Sequence, residues 1–151
     1  MSSVKPVYPT GEQHVALLMG LLFREVSDTF AAEDWSGLRQ SHFRVLAAVS
    51  GGGLTITELA GRLGMTKQGC GQLVATLTAS GHLAVEPGEH DRRVRLVQRT
   101  TLGEETSAAV TARIRRLEDD WATRVGRDRY ATFRRVLEEL VRPAPEAPED
   151  R

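Results

Sequence analysis

Residues 57–77, TELAGRLGMTKQGCGQLVATL, read as two short helices joined by a sharp turn. Leu59, Ala60 and Leu63 give the first helix an apolar face. Its start is capped either by Thr57 or by Thr55 and Glu58 as a capping box. Gly64 can take the positive φ that the turn demands, and Met65 can fill the angle between the helices. Thr66 caps the second helix, whose Cys70, Leu73, Val74 and Leu77 recur at helical spacing and face inward. Lys67, Gln68, Gly69, Gly71 and Gln72 face outward near its N-terminal end, with no acid among them. This is the order and length of a helix-turn-helix. A second helix offering a cation, two amides and bare backbone suits the major groove of duplex DNA. The two glycines each cost about 1 kcal/mol of helix stability against alanine, consistent with close backbone approach to DNA or a pliable helix.

The stretch that follows predicts a hairpin. Leu83 and Val85 alternate as in a half-buried strand, as do Val94, Leu96 and, less regularly, Val97. The polar segment from Glu86 to Arg92 lies between them. A hairpin directly after a recognition helix is a wing. Three pieces now stand together: FRVLAAV, then LTITELAGRLGMTKQGCGQLVATLTASGHL, then Asp91-Arg92-Arg93 ahead of Arg99-Thr100-Thr101-Leu102-Gly103. In this combination the chain resembles the MarR-type (multiple antibiotic resistance regulator) winged-helix transcription factors, over roughly residues 12 to 141. The resemblance implies a mainly α fold with a small β-hairpin wing, the winged helix-turn-helix being flanked by N- and C-terminal dimerisation helices.

The flanking sequence fits that plan. Residues 1–10, with Pro6 and Pro9, read as a loose arm. From about Gly11 to Ala32 an amphipathic helix carries Val15, Leu18, Leu22, Val26 and Phe30 on one side, with Leu17 and Leu21 widening the apolar surface. A second helix near Arg39 to Val49 has Phe43, Leu46 and Ala47 inward. Arg39-Gln40 stands where a Thr-Pro type cap often starts that helix in the family. Residues 50–53, Ser-Gly-Gly-Gly, end it as a flexible link. Thr100 or Thr101 caps a long helix in which Val110, Ile114, Leu117, Trp121 and Val125 follow at spacings of 4, 3, 4 and 4. Gly126 breaks it, and a last helix carries Tyr130, Phe133, Val136, Leu137, Leu140 and Val141. The expected division is residues 11–35 and 101–142 for dimerisation, 36–100 for DNA binding, and 143–151 as a disordered tail.

Charge looks neutral until it is divided. The chain has 20 basic and 20 acidic side chains. Residues 60–100 hold six basic (Arg62, Lys67, Arg92, Arg93, Arg95, Arg99) against three acidic, an excess of +3 on the reading head where phosphate attraction needs it. Only Lys5 and Lys67 among the basic residues are lysines. At 151 residues and 40% hydrophobic content, one domain or one intertwined protomer is expected. The single cysteine, Cys70, excludes an intrachain disulfide and a Cys-based zinc site, and a reducing cytoplasm is the expected compartment. On the inward face of the recognition helix it reads as a buried structural thiol rather than an oxidant sensor. His14, His42, His82 and His90 are dispersed, so no metal site is expected. No apolar run has membrane-spanning length, and no nucleophile elbow, phosphate loop or GxGxxG is present, so neither a membrane protein nor an enzyme is expected.

The expected DNA-binding residues are Thr66, Lys67, Gln68 and Gln72 of the recognition helix and Asp91, Arg92, Arg93 and Arg95 of the wing. Lys67 addresses guanine or phosphate, and Gln68 and Gln72 address adenine edges. The resemblance implies that Arg93 enters the minor groove, braced by a salt bridge from Asp91, while Arg92 and Arg95 contact phosphates. It also implies a homodimer on a short inverted repeat, and a small aromatic effector near Phe23, Trp35, His42, Arg44 and Trp121. No cofactor is expected. The rival reading is a winged-helix module that binds protein instead of DNA.

Overall fold

The computed structural model describes residues 11, 13–49 and 51–142. The expected arm and tail lie outside the described residues. The elements in order are α1 (Val15–Ala31), α2 (Gln40–Ala48), α3 (Ile56–Leu63), α4 (Lys67–Ala79), β1 (Leu83–Pro87), β2 (Arg95–Arg99), α5 (Thr101–Val125) and α6 (Arg127–Val141). They fall into two compact units, one reaching to Val110 and one beginning at Thr111, with α5 running through the boundary.

The first unit is a three-helix core backed by a hairpin. Val45, Leu46 and Val49 of α2 and its C-cap, Leu59 of α3, Cys70, Val74 and Leu77 of α4, and Leu83 and Val97 of the strands are all buried. Helices α2, α3 and α4 pack on one another, and α4 also rests on β1. Burial of this apolar set supplies the main stabilisation of the unit.

Local chemistry sets the helix-turn-helix. Thr55, not Thr57, is the N-cap of α3: its hydroxyl accepts the Glu58 N–H while the Glu58 carboxylate accepts the Thr55 N–H at 2.8 Å. Glu58 ionises below the usual carboxylate range because it accepts the backbone and hydroxyl hydrogens of Thr55. Gly64 ends α3 at φ 61°, the left-handed conformation that glycine adopts without strain. Arg44 donates from Nη2 to the Leu63 carbonyl at 3.2 Å, placing a cation at the negative end of α3.

The start of α2 is built without the expected cap type. Arg39 occupies the N-cap position in extended conformation, and its N–H donates to Nδ1 of His42 at 2.9 Å. A guanidinium has no acceptor, so only this half of a reciprocal box exists. Burial, and then the Arg39 charge, hold His42 below the ordinary imidazole value of 6.5. Accepting a backbone N–H requires the same neutral ring. Because the folded value is depressed, this contribution to stability is full above 6.5 and is lost as pH falls below it. His42→Gln retains an acceptor that does not titrate. Thermal melts between about pH 7.5 and 5 are therefore expected to fall more steeply for the wild type than for His42→Gln. Parallel profiles would show that His42 does not titrate with folding.

Several local expectations are corrected. Helix α1 starts at Val15 with His14 as N-cap, not at Gly11, where φ is +100°. Ala47 is exposed, and His42, Val45 and Val49 take the inward places on α2 beside Phe43 and Leu46. Val94 lies outside β2 and is exposed: its carbonyl accepts the Gly88 N–H and its N–H donates to the Asp91 carbonyl, so it closes the turn. The inward face of the hairpin is set by the pairs Leu83↔Arg99 and Val85↔Val97, not by Val94 and Leu96. The glycine link is also not simply a tether. It delivers Leu54 onto Val97 as an antiparallel bridge with hydrogen bonds in both directions, 3.1 and 2.7 Å.

In the second unit Gly126, at φ 94°, separates α5 from α6. The Tyr130 and Phe133 rings lie tilted at 48° with centroids 6.2 Å apart, and Arg134 bonds Glu138 at 3.1 Å along the helix. Leu140 and Val141 are more than 70% exposed at 74% and 78%.

Candidate nucleic-acid interface

Helix α4 has 13 residues and so a length of about 20 Å, enough to lie across a major groove. Its inward side is fixed by Cys70, Val74 and Leu77, which leaves Thr66, Lys67, Gln68 and Gln72 exposed at its N-terminal half. The Thr66 hydroxyl accepts the Gly69 N–H at 3.1 Å. There is no acid in the first turn. The positive end of the helix dipole therefore sits beside the Lys67 ammonium with no acid of that turn to offset either, an arrangement that an approaching phosphate relieves.

The two helical glycines differ. A side chain at Gly69 would press on the Thr66 hydroxyl at 3.1 Å, so glycine protects the cap. A side chain at Gly71 would meet nothing in the chain within 4 Å. Packing explains the first and not the second.

The wing projects Arg92 and Arg93 from its turn, both exposed. Asp91 acts differently from the salt bridge expected of it. Its Oδ1 accepts the Arg93 backbone N–H at 2.9 Å, and among the described residues it forms no ion pair with the Arg93 guanidinium. Asp91 thus fixes the backbone that carries Arg93, and the guanidinium stays open to a ligand. Arg95 is exposed, and one of its donors is spent on the Val85 carbonyl at 3.2 Å across the hairpin. Arg99 contributes less to the positive head than its charge suggests. It is 15% exposed, with Nε 3.2 Å from Glu104 Oε1 in an ion pair and Nη1 donating to Ser107 at 2.8 Å. The Nε hydrogen is not aligned on that carboxylate as a hydrogen bond.

Cys70 is fully buried on α4, and burial pushes its thiol above the ordinary value. The thiolate is the reactive form. The native protein is expected to resist iodoacetamide at pH 8 until denaturant opens the core. Rapid stoichiometric alkylation of the folded protein would contradict that placement.

The side chains expected near an effector are put to several uses. Trp35 joins Phe30 and Phe43 in an aromatic cluster, with ring centroids 5.2–5.9 Å apart, and among the described residues its buried indole Nε1 has no hydrogen-bond partner. His42 and Arg44 are engaged at helix ends, as above. Phe23 is 58% exposed on α1, and Trp121 belongs to the second unit. Among the described residues no group of His, Cys, Asp and Glu has the arrangement to hold a metal ion, and no helix is long and apolar enough to cross a membrane.

Residues 36–94 match the family model described as MarR family. Over 76 residues the chain is 36% identical to the transcriptional activatory protein BadR of Rhodopseudomonas palustris, a stretch covering 48% of this chain and 43% of that protein. The chain thus spans less than half the length of this curated relative. The reduced form of MarR from E. coli superposes with a TM-score of 0.73 at 18% identity, over 88% of this chain and all of that one (100%). The transcriptional repressor CouR bound to a 23-mer DNA duplex gives 0.71 at 22% identity, over 85% and 89%. CouR from Rhodococcus jostii bound to p-coumaroyl-CoA gives 0.69 at 18%, over 88% and 92%. The helix-turn-helix, the two-stranded wing and the flanking helices have the fold of these winged-helix structures, and the stretch that matches the MarR family runs from the start of the helix-turn-helix unit through the turn of the wing.

Proposed function

We propose that this chain is a sequence-specific DNA-binding transcriptional regulator that reads an inverted-repeat operator as a cytoplasmic homodimer. The observation that carries the reading is the exposed, acid-free N-terminal half of α4, with Lys67, Gln68 and Gln72, together with a wing that leaves the Arg92 and Arg93 guanidinium groups open. Thr66, Lys67, Gln68 and Gln72 take the major groove. Arg93 takes the minor groove on a backbone set by Asp91, and Arg92 and Arg95 take phosphates. Residues 36–100 form the DNA-binding part, and 11–35 with 101–142 the dimerisation part. Support for dimerisation comes from Val15, Leu17, Leu18 and Met19 on α1 and Phe133, Val136, Leu140 and Val141 on α6, apolar side chains exposed in the single protomer. Two-fold symmetry then sets two α4 helices about one DNA turn apart.

Effector-controlled repression is the finer reading. It is supported by likeness to CouR, solved with a DNA duplex and with p-coumaroyl-CoA, and by the aromatic cluster at Trp35 with its unpartnered indole N–H. BadR is an activatory protein, so the sign of regulation differs within the group. Selection of duplexes from a random DNA pool at near-physiological salt tests the main reading. Enrichment of an inverted repeat with half-sites about 10 base pairs apart is expected. No enrichment, with a partner protein captured through α4 instead, would favour a protein-interaction module.

A further inference from the structure

The wing emerges from a joint that ties the end of α4 to the start of α5. Helix α4 closes in a Schellman motif: Gly81, at φ +79°, donates to the Thr78 carbonyl at 3.0 Å, and His82 donates to the Leu77 carbonyl at 2.8 Å. The carbonyls of Gly81 and His82 then face Thr100. The Thr100 N–H donates to His82 O at 3.1 Å, and the Thr100 hydroxyl donates to Gly81 O. The same hydroxyl accepts the Gly103 N–H at 3.1 Å and so serves as the N-cap of α5. One side chain thus bridges two helix ends across the open end of the hairpin, where Leu83 pairs with Arg99.

Gly103 completes the joint. It is buried in the first turn of α5, and a Cβ built there would overlap the His82 carbonyl oxygen. Gly20, Gly61 and Gly71, also within helices, have nothing within 4 Å of such an atom. Gly103 alone among these helical glycines is required by close approach of another backbone segment. The clashing atom is backbone, so relief requires α5 and the α4–β1 corner to separate. The wing is held between them. Its tip, residues 89–95, is exposed throughout and has no packing of its own to restore its direction.

We propose that Thr100 and Gly103 are positioning residues for DNA reading: their joint with Gly81 and His82 sets the direction of the wing, and so of Arg93, relative to the recognition helix. The proposal rests on the DNA-contact reading for its consequence but not for its geometry. The geometry is tested without DNA. Spin labels on His90→Cys at the wing tip and Ala75→Cys on α4, in labelled protein diluted with unlabelled protein, give the distance between wing and recognition helix by electron double resonance. Gly103→Ala and Thr100→Val are expected to shift or broaden that distance, and Thr100→Ser, which keeps the hydroxyl, to restore it. An unchanged distribution in folded Thr100→Val and Gly103→Ala would overturn the proposal. Thr100→Val adds no atoms at the tight contact and decides the matter if Gly103→Ala does not fold.

The consequence is tested on the duplex recovered by selection. Gly103→Ala and Arg93→Ala are each expected to weaken binding roughly thirtyfold, one wing contact being lost from each protomer, and the double variant no more than either alone, because both remove the same wing contact. Additive losses would show that Gly103 acts through general stability and would overturn the proposal. If Arg93→Ala alone has no effect while the spin-label distances move, the wing-contact reading fails and the joint stands.

Discussion

Replacing Lys67 and Arg93 together by alanine is expected to reduce affinity for the selected operator by about a thousandfold, while leaving the dimer and its helical content unchanged. The magnitude follows from symmetry. Each protomer loses one recognition-helix contact and one wing contact, so a dimer loses four, and each is worth about 1–3 kcal/mol. Even the lower end of that range amounts to about three powers of ten. The fold should be indifferent, because both side chains are exposed and neither supports a core contact. Lys67→Ala should even relieve a cation at the positive end of α4. Fluorescence anisotropy with the selected duplex, beside light scattering and circular dichroism of the same samples, makes the measurement. The two single variants separate the roles. A phosphate contact lowers the salt dependence and weakens all sequences alike, whereas a base contact relaxes preference at one operator position. Full binding by the double variant, with an intact dimer, would remove Lys67 and Arg93 from the interface.

The parts of this fold that sequence reveals are those decided by neighbours in the chain. The turn at Gly64, the Thr66 cap and the inward places of Cys70, Val74 and Leu77 are local facts of spacing and hydrogen bonding and hold in the fold, while Leu73 of the same inward set is only half-buried. Thr57 and the Thr55–Glu58 pair both suit the start of α3 by sequence, and reciprocal hydrogen bonds select the pair. The errors arise where a distant partner decides. Val94 and Leu96 alternate in the sequence, but the strand's face is set by pairing with Val85 and by Leu54 arriving from before α3. Ala47 is apolar enough to be inside, yet α3 and α4 cover the side of α2 that carries Val45 and Leu46. The charge of Arg99 was visible and its partners were not, because Glu104 and Ser107 come within reach only when α5 begins. The same limit hid the joint around Thr100, whose role as a cap was readable and whose bridge to Gly81 was not.

Truncation of Leu77 to alanine is the largest single stability change expected. Leu77 is fully buried on α4, the helix that packs on α2, α3 and β1. Leu→Ala at such a site costs about 2–5 kcal/mol, the transfer free energy of the lost carbons plus a cavity that close-packed neighbours fill only in part. Domains of this size have roughly 5–15 kcal/mol in hand, so the variant keeps only a fraction of the native margin. The melting temperature should drop by about 5–15 °C, and the urea midpoint should fall with little change in slope. Leu102→Ala serves as the comparison, because Leu102 is 44% exposed and should lose much less. DNA binding separates this effect from the one above. At a temperature where Leu77→Ala remains folded, its recognition surface is intact, and its operator affinity should stay within a few-fold of wild type. A cost below about 1 kcal/mol would mean that α4 is not seated on the core through Leu77. A collapse of DNA affinity in a fully folded Leu77→Ala protein would mean that the seat of α4, and not only its exposed side chains, sets how the groove is read.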